Sequence, residues 1–480
     1  MTVSLSAMRC RQLSETRRAF AYLGAGHRRG ETSSGEFRVH SETASAREKP
    51  EVEVKETVIR LMTRLAIEHG AVNFSQGFTD EAPVYDMVWG GISAMLGGTE
   101  EGVRRLDSLT LREVLEEHGG VGGNSLDLSL KELLAGVRNP RDQLNQYSFP
   151  FGIPELRHAI ADYTQAFYGH RPDPDEQITV VLGASEGMAV AFRSLLEPGD
   201  GVVVMQPYHE LYPSQAAIFG LVPRFVTLRE DRDAGTWRLD RDEVRRVVAD
   251  PSVRAFVVNT PHNPTGKVLN DDELSFIAQM CRTYDLFAIT DEIYEHITFD
   301  GHRHSYLARY EGMAERTLVV NSISKTGRST GWRIGWVITP PERTRRLRAV
   351  HDNLVVQAPT PLQKGAVSLL RQSRGFFDGI AESYRTKRDL LLGGLRQAGF
   401  AASPPEGAYY LFADYRNVPA LASMSPTDAA MHLIREVGVA TVPGDNFYAT
   451  GNEGDRYLRF AFCRSIETIE AGLARLRAGL

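Results

Sequence analysis

The feature that most constrains the fold is a series of continuous apolar runs, several of them followed by a segment of helical periodicity. The runs are ITVVLG (178–183), GVVVMQP (201–207), AFVVNT (255–260), LFAITDE (286–292), TLVVNSIS (317–324) and IGWVIT (334–339). A continuous apolar run indicates a strand that is buried on both faces, as the strands of parallel sheets are. The alternation of such strands with helices predicts an α/β domain with a mainly parallel sheet.

The chain after about residue 341 shows a different pattern. Two amphipathic helices are followed by GAYYLFAD (407–414), a helix around 428–437, RYLRFAF (456–462) and a terminal helix. This order predicts a smaller α+β domain, which residues from about 61 to 96 complete. The predicted division is an N-terminal extension at 1–60, the first part of the small domain at 61–96, a helical insertion at 97–143, the large domain at 144–345 and the rest of the small domain at 346–480.

Composition excludes several classes of protein. The 480 residues are 42% hydrophobic and carry a net charge of -6, which is typical of a soluble globular protein and argues against a nucleic-acid binder. No apolar run reaches the roughly 18 residues that a membrane-spanning helix needs. The three cysteines, Cys10, Cys281 and Cys463, form neither a disulfide framework nor a metal-ligand cluster, which favours the cytoplasm. Residues 1–60 are predicted to be a disordered tail or the product of a start codon placed too early, with a targeting peptide as the alternative.

Polar side chains follow several of the predicted strands at the point where each strand ends. They are the turn Ala184-Ser185-Glu186-Gly187, then Asn263, then Asp291 with Tyr294, and finally Ser322, Ser324 and Lys325. Taken singly, a small-residue turn or an acid at a strand end is common for packing or capping reasons. Because ligands of open α/β sheets bind at the carboxyl ends of the strands, we expect this set to converge on one site.

The converging groups match what pyridoxal 5'-phosphate requires. A lysine amine can condense with its aldehyde. Backbone N–H groups at a helix start, hydroxyls and an arginine can hold its phosphate, which makes the Ala184–Ser185–Glu186 turn the candidate phosphate cradle. A carboxylate can keep the pyridine nitrogen protonated, and an amide and a phenol can bind the ring oxygen. The sequence therefore predicts a pyridoxal-phosphate enzyme.

Eight motifs make the chain resemble the fold-type-I, class I/II aminotransferases, especially the branch of kynurenine aminotransferases and glutamine transaminases. They are NQYSFPFGIPELRHAI, LGASEGM, NTPHNPTGKV, ITDEIYEHITFDG, SISKTGRSTGWRIGW, PPEGAYYLFAD, GVATVPGDNFY and YLRFAF. The resemblance covers nearly all of residues 73–480 except one insertion. It implies a large pyridoxal-phosphate-binding domain whose mainly parallel, seven-stranded sheet is flanked by helices, a smaller α+β domain, and a homodimer with shared active sites.

The resemblance also implies roles for residues at motif positions. Lys325 stands where the family places the lysine that carries the cofactor, and Asp291 where a carboxylate pairs with the pyridine nitrogen. Arg459 stands where an arginine grips the substrate α-carboxylate as a bidentate pair. The other residues implied for the cofactor are Ala184, Ser185, Ser322 and Arg333 at the phosphate, Asn263 and Tyr294 at the ring oxygen, and Tyr147, which reaches the phosphate across the dimer interface. Those implied for the substrate are Gly77 and Asn263, and those implied for catalysis are Lys325, Tyr294 and His209.

Two substitutions near the predicted site depart from the family pattern. His209 stands where the family usually stacks a Phe, Tyr or Trp on the cofactor ring. Its imidazole is either another flat stacking group or a titratable group that helps to move a proton. After Lys325 the chain reads TGRS instead of Thr-Phe-Ser. Arg328 is therefore expected to extend the phosphate cradle, to meet an acidic group of the substrate, or to point to solvent.

The third departure is an insertion of about 40 residues between Gly77 and Asn145, at roughly 97–143. Its apolar stripes predict two helices, around 105–117 and 128–137. Gly119, Gly120, Gly122 and Gly123 would form a hinge between them. The insertion is either a helical hairpin packed on the dimer surface or a lid or wall that shapes the substrate pocket.

The predicted function is transamination between an L-amino acid and an α-keto acid, which would suit a specialised biosynthetic pathway. One alternative shares every cofactor residue: a lyase or γ-replacement enzyme like 1-aminocyclopropane-carboxylate synthase, acting for instance on S-adenosylmethionine. A second alternative is the effector-sensing half of a transcription regulator. Residues 1–60 are too short and patternless for the DNA-binding domain that such a regulator needs.

Overall fold

An eight-stranded mixed sheet forms the centre of the computed structural model, which describes residues 58–77, 79, 81–117, 144–449 and 451–480. The strands in this part of the chain are β1 (Val72–Asn73), β2 (Ile178–Val181), β3 (Gly201–Gln206), β4 (Val222–Asp231), β5 (Thr236–Leu239), β6 (Val253–Asn259), β7 (Phe287–Asp291), β8 (Thr317–Ser322), β9 (Gly335–Ile338), β10 (Tyr410–Asp414), β11 (Val439–Ala440), β12 (Val442–Pro443) and β13 (Tyr457–Ala461). The order in the large sheet is β2-β9-β8-β7-β6-β3-β4-β5.

Helices alternate with these strands, as the sequence predicts. Their bounds are Val58–Glu68, Tyr85–Gly97, Glu100–Ser108, Leu111–Glu117, Pro154–Tyr168, Gly183–Leu195, Leu211–Ile218, Arg241–Val248, Asp271–Thr283, Ile323–Thr326, Pro341–Val355, Thr360–Leu370, Arg374–Gln397, Pro426–His432 and Ile466–Gly479. Several begin where a polar side chain accepts an N–H of the first turn. Asn270 and Glu273 do so reciprocally at the start of Asp271–Thr283.

The predicted α/β fold class is confirmed, with one strand more than expected. Strands β3, β4, β6, β7 and β8 pair in parallel, whereas β9 runs antiparallel to both β8 and β2. The eighth strand, β5, pairs antiparallel with the end of β4. Its sequence TWRL alternates polar and apolar residues, so it lacks the continuous apolar run that marks the central strands. Those central strands are buried throughout, because helices cover both faces of the sheet.

Two smaller sheets are built mainly from the last third of the chain. Strands β10, β13 and β12 form an antiparallel sheet, and β1 pairs in parallel with β11. The pairing of β1 with β11 joins residues 72–73 to residues 439–440. This is the kind of contact that a small domain built from both ends of the chain needs, although the predicted domain boundaries themselves stay a prediction.

The insertion begins differently from the prediction. The helix expected around 105–117 is two helices, Glu100–Ser108 and Leu111–Glu117. The break occurs because Thr110 and Glu113 cap the second helix reciprocally, with a distance of 2.8 Å from the Thr110 N–H to Glu113 Oε2. The ends of the insertion meet, since the N–H of Leu144 donates to the carbonyl of Gly98 at 2.9 Å. The helix predicted at 128–137, the glycine hinge and the N-terminal extension to residue 57 lie outside the described residues.

The helices that the structure describes differ in length or in apolar character from membrane-spanning helices. None of them is both long enough and apolar enough to cross a bilayer.

Candidate active site

A cavity of about 390 Å³ opens at the carboxyl ends of β6, β7 and β8, and it brings together most of the predicted site residues. Those that line it are Gly77, Ala184, Ser185, His209, Asn263, Asp291, Tyr294, Ser322, Lys325, Arg333 and Arg459. They come from segments far apart in sequence and converge because each follows a strand end or packs against one. Two predicted residues, Glu186 and Tyr147, are not among the residues that line the cavity.

Lys325 reaches the cavity from the short helix Ile323–Thr326, which follows β8 directly. The hydroxyl of Ser322 accepts the N–H of Ser324 and so caps this helix. The Lys325 Nζ donates to the carbonyl of Gly77 at 3.0 Å. Burial lowers the pKa of Lys325 to about 8. At this pKa roughly a tenth of the amine is uncharged at pH 7 and about half at pH 8, and the uncharged form is the nucleophile.

Asp291 lies at the end of β7 and is almost fully buried. The hydroxyl of Tyr212 donates to its Oδ2 at 2.7 Å. Burial raises the pKa of Asp291 to about 6, although the Tyr212 bond and the Ile293 N–H lower it. A buried carboxylate of this kind has one strong partner in the protein and can pair with a cationic ring nitrogen in the cavity.

The start of helix Gly183–Leu195 has the groups that an anion cradle needs. Ala184 and Ser185 line the cavity there, and Arg333 lies against the same turn, with its Nη2 donating to the carbonyl of Leu182 at 3.1 Å. Gly183 has a φ of +73°, and a Cβ on it would stand 2.4 Å from Arg333 Nη2. Only glycine allows the guanidinium this close to the helix start. Backbone N–H groups and a guanidinium thus converge on one place.

The side chain of Glu186 points away from this turn, so only its backbone N–H could serve the cradle, and its predicted place at the phosphate stays a prediction. Its carboxylate turns into the protein, where Oε2 accepts the N–H of Leu182 and Oε1 lies 2.5 Å from His351 Nδ1. A carboxylate could not bind a phosphate in any case, since both are anions. The sequence did not show this, because the partner is 165 residues away along the chain.

Arg459, on β13, is 1% exposed and faces the cavity. Its Nη1 donates to Asn263 Oδ1 at 3.0 Å and its Nη2 to the carbonyl of Ser75 at 2.6 Å, while its Nε has no hydrogen-bond partner. The ring of Tyr410 packs on the guanidinium at 4.4 Å. Among the described residues, no carboxylate lies within ion-pair distance of Arg459. A buried guanidinium is costly without an anion, which indicates that a ligand supplies one.

His209 lines the cavity at the start of a short helix. Burial, together with the positive charges of Arg459 and Lys325, lowers the pKa of His209 to about 3. The ring is therefore neutral near pH 7. This favours the interpretation of His209 as a flat stacking group over that of a proton-transfer group.

Tyr294 and Arg328 have protein partners that bear on their predicted roles. The Tyr294 hydroxyl lies 3.0 Å from the hydroxyl of Tyr410, and both residues line the cavity. Arg328 forms an ion pair with Glu81 at 2.9 Å and does not line the cavity. The ion pair gives no support to a place for Arg328 in the phosphate cradle, and its expected role toward an acidic substrate group stays a prediction. Its partner, Glu81, lies in the segment that leads into helix Tyr85–Gly97.

Tyr147 lies outside the cavity of its own chain, with 82% of its surface exposed. Phe149, Leu354 and Val356, in the neighbouring segments, are also exposed, at 60%, 54% and 44%. Gln357 joins these segments, because its Oε1 accepts the N–H of Ser148 at 2.6 Å. The result is an apolar surface centred on Tyr147.

Two residues that line the cavity, Ser324 and Tyr410, and one partner of a cavity residue, Tyr212, had no predicted functional role. Tyr212 follows His209 by three residues, but His209 precedes helix Leu211–Ile218, so no helical spacing marked Tyr212 as the partner of Asp291. Ser324 was noted only as a polar residue near Lys325, yet its Oγ is buried without a hydrogen-bond partner and lines the cavity. Tyr410 lay within a motif but had no pattern to distinguish it from a core tyrosine.

Comparison with known proteins agrees with this arrangement. Residues 123–476 match the family model described as aminotransferase class I and II. The probable N-succinyldiaminopimelate aminotransferase DapC of Mycobacterium tuberculosis is 33% identical over 428 residues, which cover 88% of this chain and 95% of that protein. Human kynurenine–oxoglutarate transaminase 1 is 32% identical, over 70% of this chain and 85% of that protein. The solved structure of the N-succinyldiaminopimelate aminotransferase from M. tuberculosis superposes with a TM-score of 0.76, at 32% identity, covering 88% of this chain and 97% of that one.

Proposed function

The chain belongs to the class I and II aminotransferases, and we propose that it transfers the amino group of an L-amino acid to an α-keto acid by means of pyridoxal 5'-phosphate held in the cavity. The observation that carries this proposal is Arg459, a buried guanidinium that faces the same cavity as Lys325 and lacks a carboxylate partner among the described residues. An α-carboxylate is the group that amino acids and keto acids share, and it is the anion that this arginine needs.

The residues present fit the cofactor. The cradle of Ala184, Ser185 and Arg333 suits a phosphate, and the unpartnered Oγ of Ser324 suits the same anion. Asp291 suits the protonated pyridine nitrogen, and Asn263 and Tyr294 suit the ring oxygen. When bound, pyridoxal phosphate supplies an electron sink for the negative charge that develops at the substrate α-carbon. The carboxylate, the amine and the anion cradle thus match the ring nitrogen, the aldehyde and the phosphate of that molecule.

The side chains of the chain divide the remaining work. Arg459 fixes the substrate by its carboxylate, and positioning of this kind supplies part of the catalytic effect. Once its hydrogen bond to the Gly77 carbonyl is broken, the amine of Lys325 can take the proton from the substrate α-carbon. Its lowered pKa suits that transfer near neutral pH. The neutral ring of His209 would stack on the cofactor ring and exclude water from that face of it.

We also propose that the enzyme is a homodimer with shared active sites and that it works in the cytoplasm. Tyr147 has no place in the cavity of its own chain, and the exposed apolar surface around it suits burial against a second copy. The cytoplasm is favoured by the cysteine content, because three cysteines this far apart in the sequence do not make a disulfide framework. Sedimentation that shows an active monomer at assay concentration would contradict the dimer.

The experiment that tests the function measures amino transfer directly. The purified protein is incubated with a panel of amino acids and α-keto acids, and with S-adenosylmethionine, while cofactor absorbance and products are followed together. We expect a new amino acid and a new keto acid in equal amounts, with all turnover stopped in Lys325→Ala. The matching family model and the relatives described above are all aminotransferases, so we do not propose the lyase. Product that retains the original amine after loss of a γ-group would overturn this choice.

A further inference from the structure

His351 is buried completely and lies behind the anion cradle, on helix Pro341–Val355. Its Nδ1 lies 2.5 Å from Glu186 Oε1 and its Nε2 lies 2.9 Å from the carbonyl oxygen of Pro150. A peptide carbonyl carries no proton to donate. The other oxygen of Glu186 accepts the N–H of Leu182, which is the arrangement of an ionised carboxylate. Both nitrogens of the ring therefore face acceptors and both must carry a proton.

The His351–Glu186 pair lies close enough to the cradle to affect anion binding there. Glu186 lies in the first turn of helix Gly183–Leu195, directly after Ala184 and Ser185, where a phosphate dianion is expected to bind. An uncompensated carboxylate there would repel the phosphate. The imidazolium of His351 removes that net charge, while the carboxylate still satisfies the N–H of Leu182 at the helix start.

The same ring connects two parts of the site. Pro150 follows Tyr147 by three residues, and its carbonyl is held by His351 Nε2. His351 therefore connects helix Gly183–Leu195, which begins at the cradle, with the segment that carries Tyr147. Neither contact reaches the cavity itself.

We propose that His351 is a positioning residue for the cofactor phosphate, held as an imidazolium that cancels the charge of Glu186 and ties the cradle to the Tyr147 segment. This proposal rests on the proposed pyridoxal-phosphate site. The titratable groups that face His351 are Glu186 on the cradle helix and Asp352 on its own helix, and the Tyr147 segment contributes only the Pro150 carbonyl.

The pH dependence follows from these partners. Burial by itself lowers the pKa of an imidazole, but the bond to Glu186, its charge and the Pro150 carbonyl raise the pKa of His351 above its ordinary value of about 6.5. A raised pKa means that the charge balance is complete below the ordinary value. It is lost as the pH rises through the pKa of the folded protein. Phosphate binding should therefore weaken on the alkaline side of neutrality.

The test compares three ligands of the cofactor-free, full-length protein: pyridoxal phosphate, pyridoxal without phosphate, and inorganic phosphate. In His351→Gln the affinity for pyridoxal phosphate and for inorganic phosphate should fall about tenfold or more, because the charge of the Glu186 carboxylate is no longer compensated. Pyridoxal should bind almost as before. The double variant His351→Gln with Glu186→Gln should recover most of the lost phosphate affinity. The wild-type protein should lose phosphate affinity at alkaline pH more steeply than His351→Gln does. This extra loss should be absent in Glu186→Gln.

Several outcomes overturn the proposal. One is an equal loss for pyridoxal and pyridoxal phosphate, which a merely structural role would produce. Another is the absence of rescue in the double variant. If His351→Gln does not fold, Glu186→Gln and the nitrogen-15 chemical shifts of the histidines decide, because a singly protonated His351 ring at pH 6 contradicts the inference. Failure of the wild-type protein to bind pyridoxal phosphate would refute the proposed function, whereas the inorganic phosphate titration would still test His351.

Discussion

Replacement of Arg459 by alanine tests the part of the site that selects carboxylate substrates. The guanidinium is 1% exposed, and two of its N–H donors are already used by Asn263 and Ser75. One N–H on each of Nη1 and Nη2 remains for a substrate, because Arg459 lines the cavity. Without them the α-carboxylate would enter a buried site unpaired. Removing one partner of a desolvated charge pair costs about 2–5 kcal/mol. This converts to a fall of roughly 30-fold to several thousand-fold in kcat/KM for the amino acid, at about 1.4 kcal/mol per factor of ten.

The assay is the half-reaction of the loaded enzyme with its best amino acid, followed by cofactor absorbance. The matched control is the amine that corresponds to this amino acid but lacks its carboxylate. It should react slowly, and at about the same rate with Arg459→Ala as with the wild type. Cofactor content should stay close to one per chain. Arg459→Lys should recover part of the loss, since it restores the charge but not the bidentate geometry. A value of kcat/KM within a few-fold of wild type, or an equal loss for the amine, would refute the role of Arg459.

The remaining predictions concern the lysine, the insertion and the subunit contact. Lys325→Ala should abolish turnover and the absorbance band of the lysine-linked cofactor, and a normal band in the mutant would contradict the assignment. Because the pKa of Lys325 is about 8, the rate at which the cofactor-free protein reacts with pyridoxal phosphate should rise from pH 6 to pH 9, and a flat profile after correction for the ligand would refute it. Residues 99–143 can be replaced by a short linker because Gly98 and Leu144 already meet at 2.9 Å. We expect folding and cofactor binding to persist while substrate choice or kcat changes, and an unchanged substrate profile would make the insertion a surface feature. Tyr147→Phe should weaken cofactor binding only in the dimer, as a comparison across protein concentrations by sedimentation and absorbance would show.

The convergence of Asp291, Lys325 and Asn263 on one cavity could be predicted from the sequence. Each follows a continuous apolar run, and parallel packing brings the carboxyl ends of such strands to one edge of the sheet. The apolar pattern determines that packing, because strands covered on both faces have no room for polar side chains except at their ends. The family motifs added a role for each residue, and the contacts of Arg459 are compatible with the role that they implied.

The tertiary structure decided the features that depend on partners distant in sequence. Glu186 belongs by sequence to the cradle turn, yet the direction of its carboxylate is set by His351, which no local pattern connects to it. Tyr212 becomes the partner of Asp291 only because the helix after β3 packs beside the end of β7. The helix expected at 105–117 breaks where one capping pair competes with helical periodicity. Burial and charge pairing act between side chains in space, so the sequence alone determines which groups are present near the site, and only the packed chain determines which of them remain available to a ligand.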